Sequence, residues 1–231
     1  MNFEAVLKDM PLLLNGVLIT VVIAVGAIIL GFLIGVLCAV VRIAPKTNLF
    51  IKVLDVIVRG YVTIIRGTPT LLQLLIVANI LLIGIYNSST NVVVPIVAFG
   101  LNSGAYMSEI IRSGFNSVPS GQMEAGRSLG LSWGQTVKSI IIPQAIKTVV
   151  PTIFNEIIVL FKETSVVSYV TIFMAGQQVY DLLGISDKRG MVTGNYLAYL
   201  CIAALIYLVI VMLLTQVQKF IERRMSKSDR H

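Results

Sequence analysis

Long uncharged runs of apolar residues alternate with short polar segments along the chain. Residues 12–41 contain no charged side chain, and neither do residues 67–108, which are too many for one helix and include a turn-rich cluster at 84–91. Because a helix that crosses a membrane needs about 20 mainly apolar residues, this pattern predicts an all-α integral membrane protein. We predict one transmembrane domain over residues 1–231, with five spans at approximately 12–41, 53–83, 92–115, 149–175 and 194–217.

The largest polar segment, residues 116–147, predicts two short helices joined at a glycine. Ser120 is a candidate N-cap for the first helix, with Glu124 near the positive end of its dipole. Gly130 suits the left-handed residue that ends a helix, and Leu131 can pack back against that helix. An ordinary loop between two spans is the alternative, although connections without a function are usually much shorter.

A second capping signal and two prolines follow. Residues 132–135, Ser-Trp-Gly-Gln, have the spacing of a capping box, which would start the second helix. Pro143 and Pro151 are expected to break or kink the chain beyond it, because proline lacks a backbone N–H. The two capping signals together predict a stiff element rather than a flexible loop.

The composition excludes a soluble domain. The chain is 56% hydrophobic and 13% charged, whereas soluble domains carry about 25% charged residues. The net charge of +7 is compatible with nucleic acid, but five of the 18 basic residues lie in the last thirteen positions, after an apolar run. Such a tail is typical of a cytoplasmic segment that flanks a span, so we predict contact with membrane lipid and no binding of nucleic acid.

The basic residues also indicate the sides of the membrane. With five spans, three basic segments share one side: residues 42–52, residues 116–147 and the tail at 218–231. The opposite side receives the N-terminus, an uncharged loop near Asn87 and a polar loop at 180–193 whose basic residues are offset by acidic ones. The positive-inside rule therefore predicts that the N-terminus lies outside and the C-terminus lies in the cytoplasm.

Few residues are available for catalysis or metal binding. The only histidine is His231, so histidine-based nucleophilic sites and zinc sites have no basis. Cys38 and Cys201 lie inside apolar runs and are expected to be buried hydrophobes rather than disulfide partners or metal ligands. The chain also lacks the GxxxxGK[ST] segment of a phosphate-binding loop. We predict no catalytic residue, no metal site and a role that is not enzymatic.

Four short segments stand out by their residues and spacing. The first is Glu124-Ala125-Gly126, with Gly130 and Ile142-Pro143, and the others are Arg66-Gly67-Thr68-Pro69, Asn155-Glu156 and Lys162-Glu163-Thr164-Ser165. The first resembles the EAA motif of binding-protein-dependent ABC importers, although Gly126 stands where alanine is usual. The others resemble the RGTP, NE and KDTS segments of the polar-amino-acid permeases in that family, with Glu163 where aspartate is common. The resemblance covers nearly the whole chain.

The resemblance implies a permease subunit of an ATP-driven importer in the bacterial inner membrane, with polar and basic amino acids as the candidate substrates. It implies three kinds of partner: a second permease subunit, identical or closely related; an ATPase dimer, which binds ATP and Mg²⁺; and an extracytoplasmic amino-acid-binding protein. No cofactor is expected in this chain itself.

The same resemblance assigns a coupling role to the polar segment. The short helix, about residues 121–129, is expected to insert into a groove of one ATPase and to follow its movement as a rigid body. Glu124 could pair with a basic residue of the ATPase and Leu129 could fill an apolar pocket, while Arg127 serves within the loop. The coupling residues so implied are Glu124, Ala125, Gly126, Leu129 and Gly130.

Ionisable residues inside a membrane are costly and indicate function. The candidates are Arg66, Glu109, Arg112, Glu156, Lys162 and Glu163. At about 1.5 Å per residue, Glu163 lies near mid-bilayer, at the level of Asn102 and of residues 66–69. We predict an amino-acid site at this level. Its members are Glu163 for a cationic group, Arg66 for a carboxylate, and Thr68, Asn102 and Ser165 for hydrogen bonds.

Structural interpretations compete with this site. Arg66 is equally well explained by an ion pair with Glu163 or Asp55, and Lys162 could neutralise Glu163 or extend away from it. Other roles fit the remaining ionisable residues: a structural one for Glu109 and Arg112, and an inner gate for Glu156.

Two other classes of membrane protein are alternatives. A secondary amino-acid carrier would be expected to show an inverted repeat. A channel would be expected to show a filter loop or a ring of charges, and a structural subunit of a membrane complex is the remaining choice. Neither an inverted repeat nor a filter is visible in the sequence, so the ABC permease is preferred.

Overall fold

The computed structural model describes residues 3–84, 92–174 and 177–227, and the fold is almost entirely helical. The helices in chain order are α1 (Phe3–Lys8), α2 (Met10–Ile43), α3 (Leu49–Arg66), α4 (Thr70–Gly84), α5 (Val93–Asn116), α6 (Ser120–Ser128), α7 (Trp133–Thr136), α8 (Ile142–Glu163), α9 (Leu182–Thr193) and α10 (Tyr196–Lys227). A π-helical turn, Val137–Ile141, joins α7 to α8, and a 3₁₀ turn, Thr164–Tyr169, follows α8. Strands β1 (Ile172–Met174) and β2 (Gln177–Val179) pair antiparallel.

Long apolar helices confirm the prediction of a helical membrane protein. Within the described ranges, four helical stretches are long and apolar enough to cross a membrane: Met10–Ile43, Val93–Asn116, Trp133–Tyr169 and Tyr196–Met225. They overlap four of the predicted spans, those at 12–41, 92–115, 149–175 and 194–217.

The remaining predicted span, 53–83, is not one helix. α3 ends at Arg66 and α4 begins at Thr70, with a break between them. Proline has no N–H to donate and disfavours helical geometry at the residue before it, so a regular helix does not run through Thr68 and Pro69. The expectation that glycine and proline open the chain here is therefore correct. The loop predicted near Asn87 lies outside the described residues.

Two predicted features are wrong. The fourth span was expected to continue to residue 175, but its helix ends at Tyr169 and strand β1 follows. The segment 180–193, expected to be a polar loop, forms helix α9, because the Asp181 carboxylate accepts hydrogen bonds from the first free backbone N–H groups. α10 continues to Lys227, beyond the predicted end of the fifth span at 217, because the following glutamine, lysine and arginine residues favour helix. The end of the span within α10 stays a prediction.

The core forms where α2 packs closely along α5. Gly31 and Gly35 of α2 lie against Gly100, Gly104 and Met107 of α5. A Cβ atom added at Gly35 would lie 2.4 Å from the Met107 Cβ, so no larger residue fits without movement. Small residues of this kind let helix backbones approach closely inside membranes, where van der Waals packing drives helix association.

A polar cluster joins the start of α2 to α9 and α10. The Arg189 guanidinium donates two hydrogen bonds to the Asp9 carboxylate, from Nε at 2.6 Å and from Nη2 at 2.9 Å. The buried Tyr199 hydroxyl donates a third. The hydrogen bond from Arg189 is the main reason that the pKa of Asp9 lies below its ordinary value. The cluster therefore favours the charged carboxylate and links three helices at one end of the bundle.

We expect Asp9→Asn to lower the melting temperature of the solubilised protein. The loss corresponds to about 2 kcal/mol, the usual contribution of hydrogen bonds to a charged group. Because the pKa is lowered in the fold, this stabilisation is present at neutral pH and is lost as the pH falls through that lowered value. Thermal unfolding followed by circular dichroism, with the exposed Lys8→Gln as control, measures it. Equal melting temperatures for Asp9→Asn and the parent would contradict the assignment.

Candidate functional site

The break between α3 and α4 is held by a network of side-chain hydrogen bonds. Gln73 Nε2 donates to the Ile65 carbonyl at 2.7 Å and to Thr68 Oγ1 at 2.8 Å. Its Oε1 accepts from Nδ2 of the buried Asn102 at 2.9 Å. Gln73 therefore satisfies a carbonyl freed at the end of α3 and connects Thr68 to α5. Gln73 is not among the predicted site residues, although a glutamine in an apolar run four residues after a proline is an available signal.

Glu163 lies at the end of α8, next to the start of α4. Its Oε2 is 3.5 Å from Thr70 Oγ1, which is the outer limit for a hydrogen bond. The side chain is half-buried, and in the described part of the chain it forms no ion pair within bonding distance. Lys162 is exposed and acts on Glu163 through its charge alone. The structure therefore places Glu163 next to Thr70, which directly follows the predicted segment 66–69.

Arg66 lies apart from the acids that were proposed as its partners. Its guanidinium carbon is 5.2 Å from the centre of the Tyr106 ring, a cation–π arrangement. Asp55 instead pairs with Lys46 and Arg59, at 3.0 Å and 2.7 Å. Asp55 and Arg66 are separated by about 16 Å along α3, which is too far for an ion pair. The predicted pairing of Arg66 with Asp55 or Glu163 is wrong for the described residues.

The remaining predicted members are less closely connected. Glu156 lies within electrostatic reach of both Glu163 and Arg66. Ser165 is half-buried in the 3₁₀ turn, and its recorded contact is through its carbonyl, which accepts from Ser168 Oγ at 3.0 Å. The structure thus groups Thr68, Gln73 and Asn102 on one side and Glu163 with Thr70 on the other, with Ser165 at the edge.

The polar segment 116–147 begins with helix α6. Its start is set by Pro119 in an extended conformation, with φ −55° and ψ 135°, and Ser120 is the first helical residue. The prediction of Ser120 as N-cap is wrong, since its side chain caps nothing. The helix end follows the prediction: Gly130 has φ +83°, and Leu131 N–H donates to the Gly126 carbonyl at 3.1 Å.

The second predicted short helix is not separate. Ser132 and Gln135 form the predicted capping box, with hydrogen bonds of 3.3 Å and 2.8 Å. From there helix α7 passes through the π-helical turn into α8 and reaches Glu163. Pro143 therefore does not break the helical stretch: it is the second residue of α8, directly after the π-helical turn, and the first turn of a helix tolerates a missing N–H. One continuous helical stretch connects the polar segment to Glu163.

The residues implied in coupling divide into exposed and buried ones. Leu129 is a large apolar side chain that is 81% exposed. Glu124, Ala125 and Gly130 are also exposed, whereas Gly126 is buried against α7. A Cβ added to Gly126 would lie 2.5 Å from Thr136 Cγ2, so α6 is seated tightly on the following helix. Arg127 donates to the Leu131 carbonyl at 2.8 Å and acts within the loop, as expected.

Comparison with known proteins gives consistent results. A family model described as binding-protein-dependent transport system inner membrane component matches residues 31–227. The chain is 36% identical over 231 residues to the arginine transport system permease protein ArtQ of Bacillus subtilis, which covers 99% of both proteins. It is also 36% identical over 228 residues to the putative glutamine transport system permease protein GlnP of Rickettsia conorii, which covers 96% of this chain and 98% of that protein.

Solved structures agree with these relatives. A chain in the crystal structure of an amino acid ABC transporter with histidines superposes with a TM-score of 0.85 at 34% identity, covering 97% of this chain and 99% of that one. A chain of the MetNI methionine ABC transporter, in inward-facing conformations, superposes with a TM-score of 0.76 at 19% identity, covering 94% and 98%. At that lower identity the likeness shows a shared fold alone.

Proposed function

Because this chain belongs to the binding-protein-dependent transport system inner membrane components, we propose that it forms the translocation path of an ATP-driven importer for polar amino acids, basic ones included. The observation that carries the choice of substrate is the position of Glu163. This half-buried carboxylate, with no ion pair in the described ranges, lies beside the polar break between α3 and α4.

Family membership establishes the general role. The chain is a permease subunit of an amino-acid ABC transporter and lies in the inner membrane. It is not catalytic, and the partner ATPase hydrolyses ATP. The resemblance derived from the EAA and RGTP segments is therefore confirmed.

The substrate class follows from charge and from the relatives. An unpaired carboxylate inside a membrane costs free energy, which a cationic group of a substrate would offset. Glu156 is a second carboxyl group within electrostatic reach of the first. Relatives named for arginine and for glutamine transport support a polar and basic range. Thr68, Asn102 and Ser165 are proposed to supply hydrogen bonds, and Arg66 to meet a carboxylate.

The transmembrane topology remains a proposal. α3 and α4 together would form the second of five crossings, with the break near its middle, as in broken helices that line substrate sites. The N-terminus would lie outside and the C-terminal end of α10 in the cytoplasm. The basic residues of the loop after α2, of segment 116–147 and of α10 support this orientation.

We propose that α6 is the coupling helix. It would insert into a groove of one subunit of an ATPase dimer, which binds ATP and Mg²⁺, while a second permease subunit and an extracytoplasmic binding protein complete the importer. The capped end at Gly130 and the tight contact at Gly126 support rigid-body transmission. The unbroken helical path from Trp133 to Glu163 would carry that movement to the substrate level during alternating access.

We expect Leu129→Ala to weaken association with the ATPase. A large apolar side chain that is almost fully exposed in the isolated subunit is a candidate interface anchor. Truncating such an anchor costs about 2 kcal/mol or more, which corresponds to roughly a 30-fold higher Kd. Affinity between the purified permease and ATPase measures this, with the adjacent exposed Ser128→Ala as control. Equal affinity of Leu129→Ala and the parent would remove Leu129 from the interface.

Stimulation of ATP hydrolysis tests the proposed function. The permease, its ATPase and its binding protein are reconstituted in nanodiscs, and ATPase activity is measured with single amino acids. We expect arginine, glutamine or both to stimulate activity, and leucine and glutamate to have little effect. Stimulation by apolar or acidic amino acids alone would contradict the proposed substrate class.

A further inference from the structure

A polar groove lies between α5 and α8, on the cytoplasmic side of the proposed substrate level. Its volume is about 320 Å³, and its walls are formed by two parts of the chain in addition to Arg66. α5 contributes residues from Tyr106 to Gly114, and α8 contributes Thr148 and Thr152. The volume falls within the range of small-molecule sites. Since Arg112 is ten residues past Asn102, the groove reaches about 15 Å further along α5.

Arg112 is the charged residue at the far end of the groove. Its Nε and Nη2 atoms donate to Glu109 Oε2, at 3.2 Å and 2.7 Å. The other oxygen of Glu109 accepts from Arg42 Nη1. One carboxylate is thus shared by two guanidinium groups, so that this triad carries a net positive charge. Within the described residues no acceptor is recorded for Arg112 Nη1, and the side chain is 32% exposed.

Arg66 is the charged residue at the near end. It packs on Tyr106, and in the described part of the chain its N–H groups have no recorded acceptor. Ser113, Thr148 and Thr152, which carry hydroxyl groups, also line the groove. α5 and α8 approach closely at Gly114, since a Cβ there would lie 2.1 Å from Val149 Cγ2. The groove is therefore lined by two guanidinium groups and by hydroxyl-bearing residues from both helices.

We propose that this groove is a second binding site, which holds the carboxylate of the amino acid after it leaves the level of Glu163 and before it enters the cytoplasm. Guanidinium groups bind carboxylates with paired, charge-assisted hydrogen bonds, and both arginines keep donors free for such contacts. Glu156, one turn beyond Thr152 on α8, is a carboxyl group within electrostatic reach of Arg66, and it can accept a hydrogen bond from the ammonium group of the same ligand. Arg112 is then a ligand-binding residue rather than only a partner of Glu109.

The inference rests on the proposed function, because its ligand is the transported amino acid. A phospholipid phosphate offers similar chemistry, and the experiment separates the two. Thr152→Cys places a thiol in the groove, in a background where Cys38→Ala and Cys201→Ala remove the two native thiols. The rate of maleimide labelling in the complete, nucleotide-free transporter, held in phosphatidylcholine nanodiscs, then reports occupancy of the groove.

We expect arginine to slow labelling of Thr152→Cys about fivefold or more, and argininamide, which lacks the carboxylate, to have little effect. When Arg112→Gln is combined with Thr152→Cys, arginine should no longer protect the thiol from labelling. Arg112→Lys, which retains the charge, should keep part of the protection. Arg59→Gln, an exposed arginine outside the groove, should keep all of it.

Equal protection by arginine and argininamide, or full protection in Arg112→Gln, would overturn the proposal. Protection that needs phosphatidylglycerol and does not depend on the amino acid would assign the groove to lipid and would also overturn it. If amino acids stimulate the ATPase but give no protection, the second site is wrong and the proposed function stands. If no polar amino acid stimulates the ATPase, both are wrong.

Discussion

Replacing Glu163 with glutamine is expected to reduce amino-acid-stimulated ATPase activity and to raise the half-saturating substrate concentration by about 10-fold to 100-fold. The estimate follows from the loss of a hydrogen bond to a charged group, which contributes about 1.5–3 kcal/mol. Glutamine is close to glutamate in shape, so the change removes charge and leaves the packing of α8 nearly intact. The measurement is substrate-stimulated ATPase activity of the reconstituted importer, as a function of amino-acid concentration.

Comparing the effect of Glu163→Gln on arginine with its effect on glutamine shows which group of the substrate Glu163 contacts. If Glu163 contacts the side-chain cation, arginine is affected more strongly than glutamine. If it contacts the α-ammonium group, both are affected equally. Glu222→Gln serves as a control, because this half-buried glutamate of α10 accepts a hydrogen bond from Gln218 at 3.0 Å and lies on another helix. Wild-type affinity and turnover of Glu163→Gln for both amino acids would eliminate the proposed role.

Gly126→Ala is expected to uncouple the permease from its ATPase. The added methyl group would lie 2.5 Å from Thr136 Cγ2, and Ile140 Cδ1 at 3.2 Å leaves little room on the other side. Overpacking of this kind costs about 1–3 kcal/mol and would move α6 away from α7. We expect a lower melting temperature and a several-fold drop in amino acid transported per ATP hydrolysed.

Two matched variants make this prediction specific. Gly121→Ala, in the same helix, has no atom within 4 Å of the added Cβ and should be neutral. Thr136→Ser removes the clashing methyl group and keeps a hydroxyl that can donate to the Ser132 carbonyl. The double variant Gly126→Ala/Thr136→Ser should therefore recover most of the lost coupling. Normal coupling in Gly126→Ala alone would mean that the contact between α6 and α7 does not transmit movement.

The sequence predicted the structure best where a local rule decides it. The left-handed Gly130, the capping box at Ser132 and the break at Pro69 each follow from the steric or hydrogen-bonding limits of a few neighbouring residues. Long apolar runs likewise marked four helices suited to a membrane. The family resemblance rested on short segments of this kind, and the match over residues 31–227 confirms it.

Prediction from the sequence failed where contacts between residues far apart in the chain decide the structure. Segment 180–193 looked like a loop because it is polar, yet α9 is held by Asp181 and by the ion pair of Arg189 with Asp9. Pro143 looked like a helix breaker because the π-helical turn before it was not foreseen.

The same limit applies to the candidate site. Arg66 packs on Tyr106 because of the direction of its side chain, and spacing along the chain does not provide that direction. The same is true of Gln73, which lies between Thr68 and Asn102. The level of the proposed site, inferred from helix length, stays a prediction, and the individual contacts of its residues were not foreseen.

The most direct test of the central claim is uptake of radiolabelled arginine and glutamine into proteoliposomes that contain the permease, its ATPase and its binding protein. We predict uptake that requires ATP on the ATPase side and all three proteins, and that continues after ionophores dissipate every ion gradient. Uptake by the permease alone, driven by an ion gradient and independent of ATP, would contradict the account and identify a secondary carrier instead.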